Sequence, residues 1–296
     1  METVLKTSGI VKKYGNNIIL NNINMTINKG DIYGFIGKNG AGKTTFMRVV
    51  LSLTTRDQGE VSLFNNKKIE EVGLRVGSLI ESPGLYKNVS GYENLKRFSI
   101  LYGADISKIN EVLDLVGLGY AKNKAVKNYS LGMKQRMGIA IALLGDPELL
   151  LLDEPINGLD PEGIKEIRDV ILKLNKEKGI TFLISSHLLD ELSKVVTRYG
   201  IINKGVLIEE IDAKELREKC RNKLVIECDN IDKAKKIVEK IIGEEVSSTK
   251  KKIIINSHVE ESAKINKKLV ESGINVEAIY PNFDSLEEYF MKRTGE

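Results

Sequence analysis

An α/β fold is predicted, a parallel sheet flanked by helices around a phosphate-binding loop, with a smaller α+β unit after it. Three observations carry the prediction. Gly37-Lys38-Asn39-Gly40-Ala41-Gly42-Lys43-Thr44 completes the pattern G-x-x-x-x-G-K-[ST] between an apolar strand and an apolar helix. Apolar runs at 149–152, 180–185 and 199–203 alternate with helical stretches. Beyond Ala213 the elements shorten into a strand–helix order of a different style.

Residues 3–37 alternate apolar and polar, with turn signals at Asn16-Asn17 and Asn28-Lys29-Gly30-Asp31, so antiparallel strands are expected to feed the loop. Asp31 to Ile36 reads as the strand entering it, and Thr45 to Leu51 as the helix leaving it. A strand follows at Val76 to Glu81, then a helical insertion from about 84 to 145 containing Tyr92 to Tyr102 and Ile106 to Val116. Leu149 to Leu152 and Ile180 to Ser185 read as buried strands, His187 to Thr197 as an amphipathic helix, and Tyr199 to Asn203 as a strand. Residues 1–212 are therefore expected to form one domain and 213–296 a second.

In that second part the helix Ala213 to Lys219 leads to strand Leu224 to Cys228, helix Ile231 to Ile242, strand Ile253 to Asn256, helix Glu260 to Ser272 and strand Val276 to Tyr280. With a further strand at Glu245 to Ser248 the order becomes βαββαβ, a ferredoxin-like fold. A closing helix is expected over Asp284 to Arg293, with Leu286, Tyr289 and Phe290 on one face.

Composition bounds the function. The chain has 296 residues, 42% of them hydrophobic, enough for one large domain and a small one. There is no run of 18 apolar residues and no signal-peptide pattern, so a cytosolic protein is expected. Cys220 and Cys228 have no metal spacing around them and are expected as free thiols. The net charge of +4 is spread along the chain, and residues 213–296 carry 17 Lys/Arg against 16 Asp/Glu, so no polycation for nucleic acid is present.

The loop is the strongest chemical signal. Its glycines let backbone N–H groups turn inward onto phosphate oxygens, and the following helix adds its positive end. Lys43 is expected to neutralise the β- and γ-phosphates and Thr44 to ligate magnesium. Gly37, Lys38, Asn39, Gly40, Ala41, Gly42 and Thr45 complete the expected nucleotide contacts. Leu149-Leu150-Leu151-Leu152-Asp153-Glu154 is an apolar strand ending in two carboxylates. In a phosphate-loop fold it is expected beside the loop strand, with Asp153 on magnesium and Glu154 deprotonating the water that attacks the γ-phosphate. Tyr129-Ser130-Leu131-Gly132-Met133-Lys134-Gln135-Arg136 opens a helix, making a second candidate anion site.

With these motifs in this order the chain resembles the ATP-binding subunits of ABC transporters, from about residue 4 to 212. The family's signature has the form L-S-G-G-Q; here Leu131 replaces the first glycine and Met133 the glutamine, while Ser130 and Gly132 remain. The resemblance implies an ABC-type ATPase with an antiparallel β subdomain and a helical signature subdomain. It further implies a head-to-tail dimer in which Ser130 and Gly132 of one copy meet the γ-phosphate of ATP held by the other, with Mg2+. Tyr14 would stack on adenine, Asp160 in Asn157-Gly158-Leu159-Asp160-Pro161 would tie the two sites together, and His187 would contact the γ-phosphate. Where most of the family has a glutamine, Ser78-Leu79-Ile80-Glu81-Ser82-Pro83 places Glu81, a further candidate magnesium or water ligand.

The Ile-Glu-Ser-Pro segment and the Ser-Leu-Gly-Met signature resemble the subgroup that exports peptide antibiotics, including lantibiotic-immunity and bacitracin-resistance ATPases. That subgroup implies a separately encoded permease, with the protein held peripherally on the inner face of the cell membrane. A soluble regulatory ATPase of the same type is the alternative, but such proteins tend to carry two ATPase units or coiled-coil arms, and this chain has neither. The C-terminal unit contains no cofactor motif and is read as dimer-stabilising structure in preference to a ligand-binding regulator.

Overall fold

The computed structural model describes every residue except Met1, Asn66, Arg221, Asn222, Ser257, Phe283, Asp284, Ser285 and Glu296. The described residues fall into two compact units, Met1–Ala213 and Lys214–Glu296.

The first unit begins with β1 (Thr3–Tyr14) and β2 (Asn17–Asn28), followed by β3 (Ile32–Ile36), α1 (Lys43–Val50) and β4 (Gln58–Leu63). The two long strands pair antiparallel, Tyr14 opposite Asn17, so the tight turn is Gly15-Asn16 and Asn17 already belongs to the ladder. β4, which the sequence pattern leaves unmarked, pairs with the other edge of β1 to give a sheet ordered β2-β1-β4. Its outer residues are mostly exposed, so it shows none of the apolar alternation that marks a half-buried strand.

The chain continues through α2 (Ile69–Val72), β5 (Val76–Leu79), α3 (Gly91–Tyr102), α4 (Ile109–Leu115), α5 (Leu131–Ala142), β6 (Leu149–Asp153), α6 (Pro161–Lys178), β7 (Thr181–Ser186), α7 (Leu189–Leu192), β8 (Arg198–Asn203) and β9 (Val206–Asp212). The second sheet has the order β5-β6-β7-β3-β8-β9, parallel except for the antiparallel edge β9. Two expectations change here. β5 stops at Leu79, because Glu81 takes φ 61° and turns the chain out of the sheet. The stretch after His187 contains only the four-residue α7, since the chain turns again before re-entering the sheet at Arg198.

The third change matters for the site: β6 does not lie beside the loop strand. β7 pairs with β6 on one side and β3 on the other, so it sits between them. Leu149, Leu150, Leu151 and Leu152 are fully buried, as expected for an inner parallel strand covered on both faces. Burying each such side chain stabilises the fold by roughly 1.5–3 kcal/mol. α6, the longest helix, is framed by its ends: Asp160 accepts from the Gly163 N–H, Pro161 occupies the first turn, and Gly179 closes it at φ 67°.

Glu210 on β9 connects the two sheets of this unit. Its carboxylate accepts from the Tyr33 hydroxyl at 2.8 Å and from the Thr26 N–H at 3.3 Å. Burial, and then the Glu210 charge, push the Tyr33 phenol well above its ordinary range, so it donates at neutral pH.

In the second unit α8 (Ala213–Cys220), which begins at the boundary, leads into β10 (Lys223–Cys228), α9 (Ile231–Ile242), β11 (Ser247–Ser248), β12 (Lys252–Ile255), α10 (Ser262–Glu271), β13 (Val276–Asn282) and α11 (Leu286–Thr294). After α8 this is a βαββαβ order, with an antiparallel sheet arranged β11-β12-β10-β13. Its core gathers Leu224, Ile226, Ile253 and Ile255 from the sheet with Ala234, Val238, Ile265 and Leu269 from α9 and α10. In α11 Phe290 is buried and Leu286 and Tyr289 are half-buried, while Glu287 and Glu288 face solvent. Asp284, expected to begin that helix, lies outside the described residues. Cys220 and Cys228 are both buried thiols, neither of them in a disulfide.

Replacing Tyr33 by Phe deletes the charge-assisted bond to Glu210 without changing the packed ring. The expected loss is about 1.5–3 kcal/mol, read as a lower urea midpoint at pH 7; an unshifted midpoint would show that the bond contributes nothing.

Candidate functional site

The loop between β3 and α1 is shaped by its glycines. A Cβ on Gly37 would lie 2.5 Å from the Ile202 carbonyl oxygen, so only glycine fits against β8. Gly42, at φ 109°, would bring a Cβ to 2.9 Å from Leu20 Cδ2. As the residue capping α1, Gly42 offers no side-chain oxygen, which leaves the first-turn N–H groups uncommitted to a capping side chain. Ala41 is buried, and its carbonyl accepts from the Gly205 N–H in the β8–β9 turn at 3.0 Å. Lys43 is 5% exposed; its ammonium donates to the carbonyl oxygens of Gly37 at 2.6 Å and Lys38 at 3.3 Å and lies 3.1 Å from Glu154 Oε1.

The carboxylates reach the loop because β6, β7 and β3 are parallel and in register. Asp153 stands opposite Ser185, and Ser185 opposite Phe35. Asp153 Oδ2 accepts from the Thr44 hydroxyl at 2.7 Å, and its Oδ1 from the Ser185 hydroxyl at 2.5 Å. Glu154 leaves the strand at φ 49°, with its N–H directed at Ser185 Oγ (2.9 Å) and the Ser185 carbonyl (3.2 Å). Its Oε2 is 2.8 Å from His187 Nδ1. Lys43, Thr44, Asp153, Glu154 and His187, scattered over 145 positions of sequence, therefore form one connected cluster.

Lys43, Thr44 and Glu154 of this cluster line a cleft of about 320 Å³ together with Tyr14, Ile19, Asn39, Gly40, Gly42 and Thr45. Tyr14 is 49% exposed at its edge, with the Lys12 ammonium 4.9 Å from the ring centre. The donor set fits a small hard cation: one hydroxyl and one carboxylate converge at 2.7 Å beside a buried ammonium. Among the described residues no cluster of three or more His, Cys, Asp or Glu could cage a metal by itself. A hydroxyl and a carboxylate are oxygen ligands of the kind that suits Mg2+, which keeps several waters and shares substrate phosphates.

A second groove of about 530 Å³ lies apart from the first and shares no lining residue with it. Ser130, Gly132 and Asp160 meet there, together with Leu131, Met133, Gly158 and Gly163. Ser130 caps α5 by accepting from the Met133 N–H at 3.2 Å. Leu131 is 50% exposed at the groove, where the signature form has glycine. Two residues carry no role in the sequence reading, and one of them, Arg136, is on this wall. Arg136 is buried, donates to the carbonyls of Val116 and Gly117, and pairs with Glu166 on α6 at 3.0 Å, so it joins α5 both to the turn after α4 and to α6. A lone basic residue in a helix gave no periodic signal for this. Ser185 is the other unmarked residue of importance; the polar Ser185-Ser186 ending an otherwise apolar strand was its only trace.

Glu81 is not brought into the cluster. It is exposed, and its carboxylate pairs at 2.5 Å with Arg48, one helical turn beyond Thr44 on α1; it does not line the cleft.

A glycine loop capping a helix, a buried lysine, and a Thr–Asp pair with an adjacent Glu and His define a phosphate-loop ATPase. The family described as "ABC transporter" matches residues 20–157. The chain is 43% identical to the bacitracin transport ATP-binding protein BcrA of Bacillus licheniformis over 100% of this chain and 98% of that protein. It is 44% identical to the lantibiotic transport ATP-binding protein SrtF of Streptococcus pyogenes over 76% of this chain and 99% of that protein. The solved structure of CbiO1 from Clostridium perfringens, part of the ABC transporter complex CbiONQ, superposes with a TM-score of 0.67 at 28% identity, covering 73% of this chain and 91% of CbiO1. The chain belongs to the family of ABC transporter ATP-binding proteins. It is a nucleotide-binding ATPase, and subunits of this family work as dimers with a transmembrane permease.

Lys43→Ala removes the buried ammonium that lines the cleft, and ATP binding by titration calorimetry is expected to disappear; undiminished affinity would contradict the placement of phosphates at this loop.

Proposed function

We propose that the chain powers export of a hydrophobic or peptide antibiotic through a separately encoded permease, by ATP-driven closure of a head-to-tail dimer on the inner face of the membrane. Among the described residues no helix is long and apolar enough to cross a membrane, so passage belongs to the permease in this reading. The cargo class is supported by relatives that match the chain over both units, the bacitracin transport ATP-binding proteins above all.

One observation carries the mechanism: the cleft with Lys43 and Glu154 and the groove with Ser130, Gly132 and Asp160 are separate on the same unit. Each is half of a site, and a second copy turned head to tail completes both. ATP then lies with adenine on Tyr14 and its phosphates on residues 37–45. Thr44 and Asp153 hold Mg2+, which when bound supplies Lewis-acid stabilisation of the transferring phosphoryl group. Glu154 accepts the proton of the attacking water, and His187, 2.8 Å from it, holds that carboxylate at the γ-phosphate. Ser130 and Gly132 of the second copy close over the same phosphate with the positive end of α5. Asp160, at the other wall of that groove, connects one site to the other.

Glu81 is assigned a coupling role in place of metal binding. Its pair with Arg48 joins α1 to the start of the helical insertion, where Leu85, Tyr86 and Val89 form the surface for a cytoplasmic helix of the permease. Residues 1–212 are the ATPase domain, with 84–145 as its helical subdomain, and 213–296 an accessory domain that stabilises the dimer.

Glu154→Gln preserves shape but removes the base, and it is expected to accumulate an ATP-bound dimer by size-exclusion chromatography; a monomer in saturating ATP would overturn the clamp. For the cargo, cells lacking the chain should tolerate less bacitracin or lantibiotic than their parent. Equal growth across both dilution series would exclude this cargo class.

A further inference from the structure

We propose that Ser185 is a positioning residue for hydrolysis, its hydroxyl holding the backbone of Glu154 in the conformation that aims the Glu154 carboxylate into the nucleotide cleft. The inference rests on Glu154 being the general base, as proposed above. Ser185 is wholly buried near the end of β7, opposite Asp153 on one neighbouring strand and Phe35 on the other.

A hydroxyl has one hydrogen to donate and lone pairs to accept with, and both capacities are used here. The O–H donates to Asp153 Oδ1 at 2.5 Å, and the same oxygen accepts the Glu154 N–H at 2.9 Å. Oγ of Ser185 thus touches both members of the carboxylate pair. The other oxygen of Asp153 accepts from Thr44, so Asp153 is a fixed anchor from which Ser185 reaches the next residue.

Glu154 needs that hold. Its φ of 49° lies in the left-handed region that L side chains avoid, and at this residue the chain swings out of β6 so that the carboxylate meets Lys43 at 3.1 Å and His187 at 2.8 Å. The Ser185 carbonyl, at 3.2 Å, shares the N–H but cannot contact Asp153 Oδ1 as a donor. Without the hydroxyl, Glu154 keeps the weaker of its two acceptors and Asp153 loses one donor. The backbone can then relax toward negative φ, carrying the base away from its two partners, while the buried packing of β7 is unchanged.

The test measures steady-state hydrolysis by the full chain with ATP and magnesium, alongside ADP affinity in the absence of metal. In Ser185→Ala kcat should fall about tenfold or more, with KM for ATP and the metal-free ADP affinity each within about twofold of the native chain. Ser185→Thr restores the hydroxyl and should recover kcat to within about threefold. Ser185→Cys keeps the size of the side chain with a far weaker donor and should fall with Ala, and it carries the test if the Ala chain does not fold. Native kcat in Ala and Cys overturns the proposal. Equal impairment of Ala and Thr does so too, because it would mean a steric role. E154Q, assayed in parallel, separates the two readings: if it hydrolyses at the native rate the general-base assignment fails, whereas if it is inactive while Ser185→Ala is native, only the positioning role fails.

Discussion

The parallel register that sets Phe35, Ser185 and Asp153 in one row is the constraint on which the rest of the site depends. Phosphate binding and proton transfer need groups from the loop and from β6, and these two strands are not neighbours. β7 lies between them and bridges the gap with a hydroxyl rather than an apolar side chain. A slip of one residue would turn Ser185 to the other face of the sheet and leave Asp153 with the Thr44 bond alone. The buried leucines of β6 and the apolar body of β7 are what make such a slip costly, so core packing directly sets the geometry of the reacting groups.

Part of the chain's conformational strain lies where chemistry is expected. Gly42 and Glu154 both have positive φ, and they flank the same cleft. For Gly42 this is free of penalty, while for Glu154 it costs of order 1–2 kcal/mol, offset by the paired acceptors on Ser185 and by the ion pair to Lys43. Glu81 is another residue in this region, turning the chain out of β5 toward the helical insertion. The exits of two adjacent strands, β5 and β6, are therefore both bent at a glutamate, one facing the nucleotide cleft and one paired to the helix that follows the loop.

The second groove follows a different logic. Ser130 and Asp160 each spend a side-chain oxygen on capping their own helix, so their first task is local, and the ends of α5 and α6 are brought side by side as a consequence. Arg136 and Glu166 lock that arrangement from beneath. A wall with two helix beginnings and no nucleotide-loop residue suits the proposed head-to-tail pair, in which it faces phosphates held by the other copy.

The loop, its lysine and threonine, the carboxylate pair and the signature segment were legible in the sequence because each is a short contiguous motif whose chemistry depends on local spacing. The strands at 149–152 and 180–185 were legible because burial on both faces demands an unbroken apolar run. Where the signal was local but weak, as in β4 with its exposed edge or the short turn-rich stretch after His187, the pattern misled or stayed silent. The position of β7 between β6 and β3 was not legible at all, since strand order is decided by which helices cover which face after the chain has crossed over. That one tertiary choice set Ser185 against the Asp153 carboxylate and the Glu154 N–H. By itself the sequence determined that a nucleotide is held and marked the residue types expected to hold it. Only the folded chain decided which side chain holds the Glu154 backbone, because that hold is made by hydrogen bonds between strands whose adjacency no local pattern encodes.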